Sequence, residues 1–415
     1  MSSSNAIASV SHLYFLGLSA VGYDWLWGRI VRGPGMKAII DTRTTGLFHD
    51  GTLLTQNYTG LRALDALFVP AVIFYNDLLS SNDPVHRMLL IDIFSTMQTT
   101  SHCISVVGWE RGNSSLMAVI ENIFWGVLNQ AWGAATVYPI YCFAHVARWL
   151  PTQNQKDLDA AFIGPKAVSE ALPLPAVAIV TSLTPLILLY PAMVTSCSAQ
   201  RRQTIIAMYR LTPPVLALLR PAASVILRRA RVAGQGEVDR VRAQRLTAAS
   251  LAVSGATATL AHWYAIGAAM WTQGSTLARV FLPPAFTDLG ERTSQGPIIA
   301  EAAHEFLQWD VIAVGMALTP LSYLIWRSQP RKKPRTREGG SFSSTSRLRR
   351  ILEWGPMKVL GWGFACVVLS PGGLLAWTLA ARVVNGLKGS FDVDDERKRS
   401  LSAEKANPSG LGKKS

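Results

Sequence analysis

The chain has 415 residues, 49% hydrophobic and only 16% charged, with a mean hydropathy of +0.22. That balance excludes an ordinary soluble domain and points to a membrane protein. The formal charge of +14 does not call for nucleic acid, because two short segments hold most of it. Residues 228–245 carry six arginines against two acids, and residues 327–350 carry nine basic groups against one, so together they account for +12. The positive-inside rule expects such loops in the cytoplasm, and no nucleic-acid partner is implied.

A bilayer core about 30 Å thick needs about 20 apolar residues in helical form. Such stretches occur at 6–27, 63–80, 88–108, 115–136, 172–195, 203–227, 246–271, 307–326 and 357–384. The expected fold is therefore all-α, a polytopic transmembrane helical bundle of 8–9 spans. One multi-pass domain is expected over 1–390, with acid-rich helices at 45–148, cytoplasmic basic loops at 228–245 and 327–356, and a disordered charged tail at 391–415. The first stretch follows "MSSSN", which lacks a basic leader and a cleavage signal, and reads as a retained span. The 203–227 stretch is interrupted by Arg210, Pro213, Pro214 and Arg220.

Ionisable groups at membrane depth are expensive, and the acids crowd into the first third of the chain. Asp65 and Asp77 flank the second stretch, Asp92 lies in the third, Glu110 ends it, and Glu121 lies in the fourth. With about 3.6 residues per turn, Glu121, Trp125, Leu128 and Trp132 share one helix face, with Asn122 and Asn129 beside it. Asp92, Thr96, Thr99 and Cys103 share another. Asparagine and threonine routinely bond one membrane helix to the next, but several carboxyls in one half of a bundle point to function. His102, His145 and His262 read as ordinary hydrogen-bonded helix residues. Cys103, Cys142, Cys197 and Cys366 are scattered, with no pairing or zinc spacing. Near the end of the 281–310 segment Glu301, Glu305 and Gln308 share a helix face, read as the wet side of a helix entering the bilayer.

A buried carboxyl can act as a general acid. A carbocation formed from its proton is stabilised by π faces, about 0.5–2 kcal/mol each. Thirteen Trp, ten Tyr and fourteen Phe supply such faces. Acid plus aromatic surface fits protonation-initiated cyclisation of an isoprenoid.

Three segments carry a resemblance: "NYTGLRALD" (57–65), "WERGN" (109–113) and "NQAWGAATVYPIYCFAH" (129–145). They resemble fungal integral-membrane terpene cyclases of the ascochlorin and ascofuranone pathway type, over residues 45–148. The resemblance implies a multi-pass enzyme, expected in the endoplasmic reticulum. It would protonate an epoxide or olefin of a farnesyl or meroterpenoid chain, with no cofactor and no metal, for fungal secondary metabolism. An upstream prenyltransferase and epoxidase of the same pathway would supply the substrate.

The family-like polar positions are Asp65, Glu110, Arg111, Asn113, Gln130, Tyr138 and His145. Asp65 and Glu110 are candidate catalytic acids, and Glu121 joins them on helical geometry alone. Asp92, Arg111, Asn113, Trp125, Asn129, Gln130, Trp132 and Tyr138 are candidate substrate-binding residues. A plainer reading makes Glu110 and Arg111 an interfacial pair, with Asn113 in a glycosylation sequon. Two alternatives stay open. An intramembrane prenyltransferase would want paired aspartates for magnesium, but Asp77 and Asp83 lie off a common face. A transporter would show internal repeats, and none is visible.

Overall fold

The computed structural model describes residues 3–109, 115–149, 163–165, 167–193, 197–229, 237–284, 298–328 and 356–387. Glu110, Arg111 and Asn113, the bulk of the basic loop at 327–356, and the expected tail at 391–415 lie outside them. Among the described residues the protein is helical, with one isolated bridge between Leu47 and Leu53 and no strand.

Helix α1 (Ser3–Tyr23) runs into a π-helical turn, Asp24–Gly28, and a last turn, Arg29–Arg32. Pro34 begins α2 (Pro34–Thr45), and Gly46 closes it in the left-handed conformation. After a loop come α3 (Arg62–Ser80) and α4 (Pro84–Gly108). Asp83 caps α4 by accepting from the Val85 N–H. Next are α5 (Ser115–Trp132), α6 (Ala134–His145), α7 (Leu174–Met193), α8 (Ala199–Tyr209) and α9 (Thr212–Arg229). The chain continues with α10 (Glu237–Trp271), the short α11 (Leu277–Phe281), α12 (Ile298–Arg327), α13 (Pro356–Leu369) and α14 (Pro371–Leu387).

Helix α4 is buried nearly all round, which explains why it is apolar without a clear stripe. It packs along α10. Three polar links, Asp92 to His262, Thr99 to Ser254 and His102 to Ser250, run in opposite sequence directions, so the two helices are antiparallel. Such bonds are the normal way for polar side chains to join helices where water is absent.

Among the described residues three helices are long and apolar enough to cross a membrane: Arg62–Ser80, Val168–Pro191 and Ile298–Arg327. A fourth candidate is the pair Lys358–Leu369 and Pro371–Leu387, bent by 109°. The other stretches expected to span are helical but shorter, more polar or interrupted. The expected 115–136 span, for example, ends at Trp132, where Gly133 takes φ +85° and a new helix begins. Side chains cannot follow there. A Cβ on Gly133 would lie 2.5 Å from Leu26 Cδ1 and 3.1 Å from Phe306 Cζ. Gly133→Ala should therefore cost about 1–3 kcal/mol, from φ strain and overpacking together. Thermal unfolding in detergent checks this, and an unchanged midpoint would contradict the packing described.

Candidate active site

A cavity of about 390 Å³ opens between the stretch Trp25–Gly35 and helix α12. Arg29 and Glu305 form a buried ion pair in its wall, 2.6 Å apart. The Arg29 guanidinium lies over Trp309 at 5.3 Å, and Trp309 stacks on Trp25 at 4.5 Å. Glu301, Glu305 and Gln308, the stripe read from sequence as a wet helix face, all line this cavity.

Phe306 closes the cavity on its inner side and starts a continuous run of rings. Its neighbours are Trp27 at 5.5 Å and Phe74 at 5.1 Å. Phe74 meets Tyr75 at 4.9 Å, Tyr75 meets Phe94 at 5.8 Å, and Phe94 meets Tyr209 at 5.5 Å. Edge-to-face and tilted contacts of this kind present both ring faces and edges to whatever lies between helices. Gln98 donates to the Tyr209 hydroxyl at 2.8 Å and fixes the far end.

Beside this run stands Asp310 of α12, only 1% exposed. Its carboxyl accepts the Ala135 N–H at 2.6 Å, and the Ala134 N–H also reaches it. These are the first amides of α6, exposed by the break at Gly133. Asp310 thus caps a helix from outside, where the helix dipole favours negative charge. Tyr75 and Tyr138 lie within electrostatic reach of the same carboxyl. Sequence reasoning missed Asp310. The available signal was an aspartate inside the 307–326 stretch, following Trp309.

Among the described residues, the acids read from sequence, Asp65, Asp92 and Glu121, have separate partners. Asp65 accepts the N–H groups of Tyr58, Thr59 and Gly60 and the Thr59 hydroxyl. Four donors on one carboxyl are the bonding of an anion that orders a loop. In the same loop burial pushes the Tyr58 phenol up.

Asp92 faces His262 Nδ1 at 2.8 Å, while His262 Nε2 donates to the Val367 carbonyl at 2.7 Å. The carbonyl can only accept, so Nε2 carries a proton and the Asp92–His262 contact shares another. This pair braces the end of α13, a different job from the substrate contact expected of Asp92.

Glu121 pairs with His145 at 3.2 Å. Trp125 lies 6.1 Å from the His145 ring and 5.4 Å from Tyr141, so the acid-and-indole face expected on α5 is present. Asn129 donates to the Tyr138 hydroxyl at 3.4 Å, which donates in turn to the Met97 carbonyl at 3.1 Å. Gln130 bonds Thr212 at 3.1 Å and the Tyr209 carbonyl at 3.3 Å. Trp132 is half exposed, and its carbonyl accepts from Trp27. All four cysteines are free thiols.

A helical protein with a polar-walled cavity leading to an aromatic interior and a buried acid has the layout of an enzyme for apolar molecules. Known sequences define the type. Over 336 residues the chain is 33% identical to the terpene cyclase alnG of Emericella nidulans, covering 75% of this chain and 83% of that one. It is 28% identical over 384 residues to the terpene cyclase DEP1 of Fusarium langsethiae, covering 90% and 98%. No solved structure matches. The protein is an enzyme of the terpene cyclase type. The CtvD domain family matches residues 6–375, and the chain belongs to that family.

Proposed function

We propose that the enzyme cyclises a linear or terminally epoxidised farnesyl or meroterpenoid chain by protonation, as a multi-pass protein of the endoplasmic reticulum membrane. The observation that carries this reading is Asp310, a buried acid beside an unbroken run of rings. The proton leaves the Asp310 carboxyl for the epoxide oxygen or the olefin, the cation moves along the rings from Phe306 towards Tyr209 as bonds close, and the last cation loses a proton to water to leave an alkene, after which the Asp310 carboxylate takes a proton back from water. The Ala134 and Ala135 amides meanwhile hold the carboxylate, as an oxyanion hole holds its anion. Each ring face beside the cation contributes about 0.5–2 kcal/mol.

Glu121 with His145 is a second acid site, walled by Trp125 and Tyr141, and is the alternative donor. Glu110 belongs to the same set of candidates on the strength of the sequence. Large apolar side chains exposed on α1, α5, α9, α10 and α13, including Leu13, Phe124, Ile226, Trp271 and Phe364, support a lipid surroundings. They support 8–9 membrane-embedded segments, including those that fall short of a full span on length and composition.

The test is microsomes carrying the enzyme, supplied with farnesylated aromatics and their terminal epoxides. A cyclase yields a product isomeric with its substrate. A product heavier by one prenyl unit would instead establish a prenyltransferase, and no new compound would leave a carrier.

A further inference from the structure

The cavity in front of Phe306 has a mixed wall, apolar side chains beside charged ones. Its wall holds Arg29, Arg279, Asp83, Glu301 and Glu305, two cations against three carboxylates. Two of those carboxylates are already engaged, Glu305 with Arg29 at 2.6 Å and Asp83 with Arg279 at 2.7 Å. The third, Glu301, is half exposed and faces His86 Nε2 at 4.0 Å. A wall with this balance repels a diphosphate.

The same wall contains hydrogen-bonding capacity that the protein does not use. His304 Nε2 donates to the Arg279 carbonyl at 3.0 Å, which leaves a lone pair on Nδ1. Gln308 Nε2 donates to the Arg279 and Val280 carbonyls at 2.8 and 3.3 Å, which leaves its Oε1 as an acceptor. Both atoms are buried and have no partner among the described residues, and the same holds for Nδ1 of His86, whose ring lies 4.8 Å from that of His304. His304 and Gln308 are one turn apart on α12, so their acceptors belong to one face. Native proteins seldom leave such groups unmet, and two acceptors side by side ask for a donor.

We propose that this cavity binds the polar head of the substrate, a neutral hydroxyl-bearing group such as a phenol, through the acceptors of His304 and Gln308. This rests on the reading that the isoprenoid chain lies along the rings beyond Phe306. The head is held where the wall is polar and the tail passes Phe306 into the aromatic interior. A volume of about 390 Å³ lies within the usual range for a small-molecule site. Gln308 and His304 then select among substrates without taking part in proton transfer.

Binding to the purified full-length enzyme tests this, read by tryptophan fluorescence, since Trp25 lines the cavity and stacks on Trp309. The probes are hexahydrofarnesyl phenol, its methyl ether and hexahydrofarnesyl diphosphate. Their saturated tails cannot cyclise, so the result is separate from whether the enzyme is a protonation-initiated cyclase. The phenol is expected to bind about tenfold or more tightly than the ether, because a site built to pair a hydroxyl rejects the analogue without one. Gln308→Leu should remove that preference and raise KM for a phenol-bearing substrate about tenfold, with kcat changed by less than about threefold. Should the variant fail to fold, the comparison of probes on the unaltered enzyme still decides. An ether that binds as well as the phenol, or a diphosphate that binds better than either, overturns the proposal.

Discussion

Asp310→Asn should lower the cyclisation rate by about 10²–10⁴-fold, the usual contribution of a positioned general acid, while leaving the fold intact. The amide is nearly the size of the carboxyl, and its oxygen can still accept the Ala135 N–H. What it lacks is a transferable proton. The measurement is product formation per folded enzyme, with the thermal midpoint of each variant as the control. Glu121→Gln is the matched comparison, since its pairing with His145 makes it the competing donor. Turnover of the Asp310 variant within tenfold of the unaltered enzyme, with Glu121→Gln inactive, would move the acid to α5.

The second large effect concerns the wall of the cavity. Arg29→Met should destabilise the protein by about 3–5 kcal/mol, because it leaves the Glu305 carboxyl buried without its cation. Among the described residues, what else bonds the Glu305 side chain is the Trp309 indole, at a long 3.4 Å. Replacing both partners, Arg29→Met with Glu305→Leu, should recover most of the loss, since a desolvated pair gains little over an apolar one of similar volume. Unfolding of the single and double variants in detergent gives the coupling between the two sites. A single variant as stable as the parent would show that the pair is solvated and contributes little.

Much of the fold was legible from hydropathy alone, because helix formation is a local matter. The helical face that joins Glu121 to Trp125 followed from periodicity and is present. What periodicity cannot convey is which helices meet. Asp310 acts on an amide 175 positions earlier, and Arg29 pairs with a residue 276 positions later. The stripe of Glu301, Glu305 and Gln308 was visible, but a polar helix face looks the same whether it borders water or a cavity. Asp65 looked like an acid at membrane depth, and its real partners, three amides in the loop just before it, depend on a turn geometry that composition does not encode. Asp92 was equally conspicuous, and its partner, His262, lies on an antiparallel helix 170 positions away.

The bend between α13 and α14 has a consequence for how the chain is threaded. At about 1.5 Å per residue and a bend of 109°, the pair Lys358–Leu369 and Pro371–Leu387 measures about 26 Å from end to end, short of the roughly 30 Å of hydrocarbon it would have to traverse. The carbonyls freed at the elbow are met from α10, by His262 on Val367, Trp263 on Val368 and Thr259 on Leu369. Gly372 presses against the backbone of Thr96, where a Cβ would come within 2.7 Å of its oxygen. An elbow of this shape is either one crossing broken in two or a segment that enters and returns on the same side, and the two differ by one in the number of times the chain crosses a bilayer.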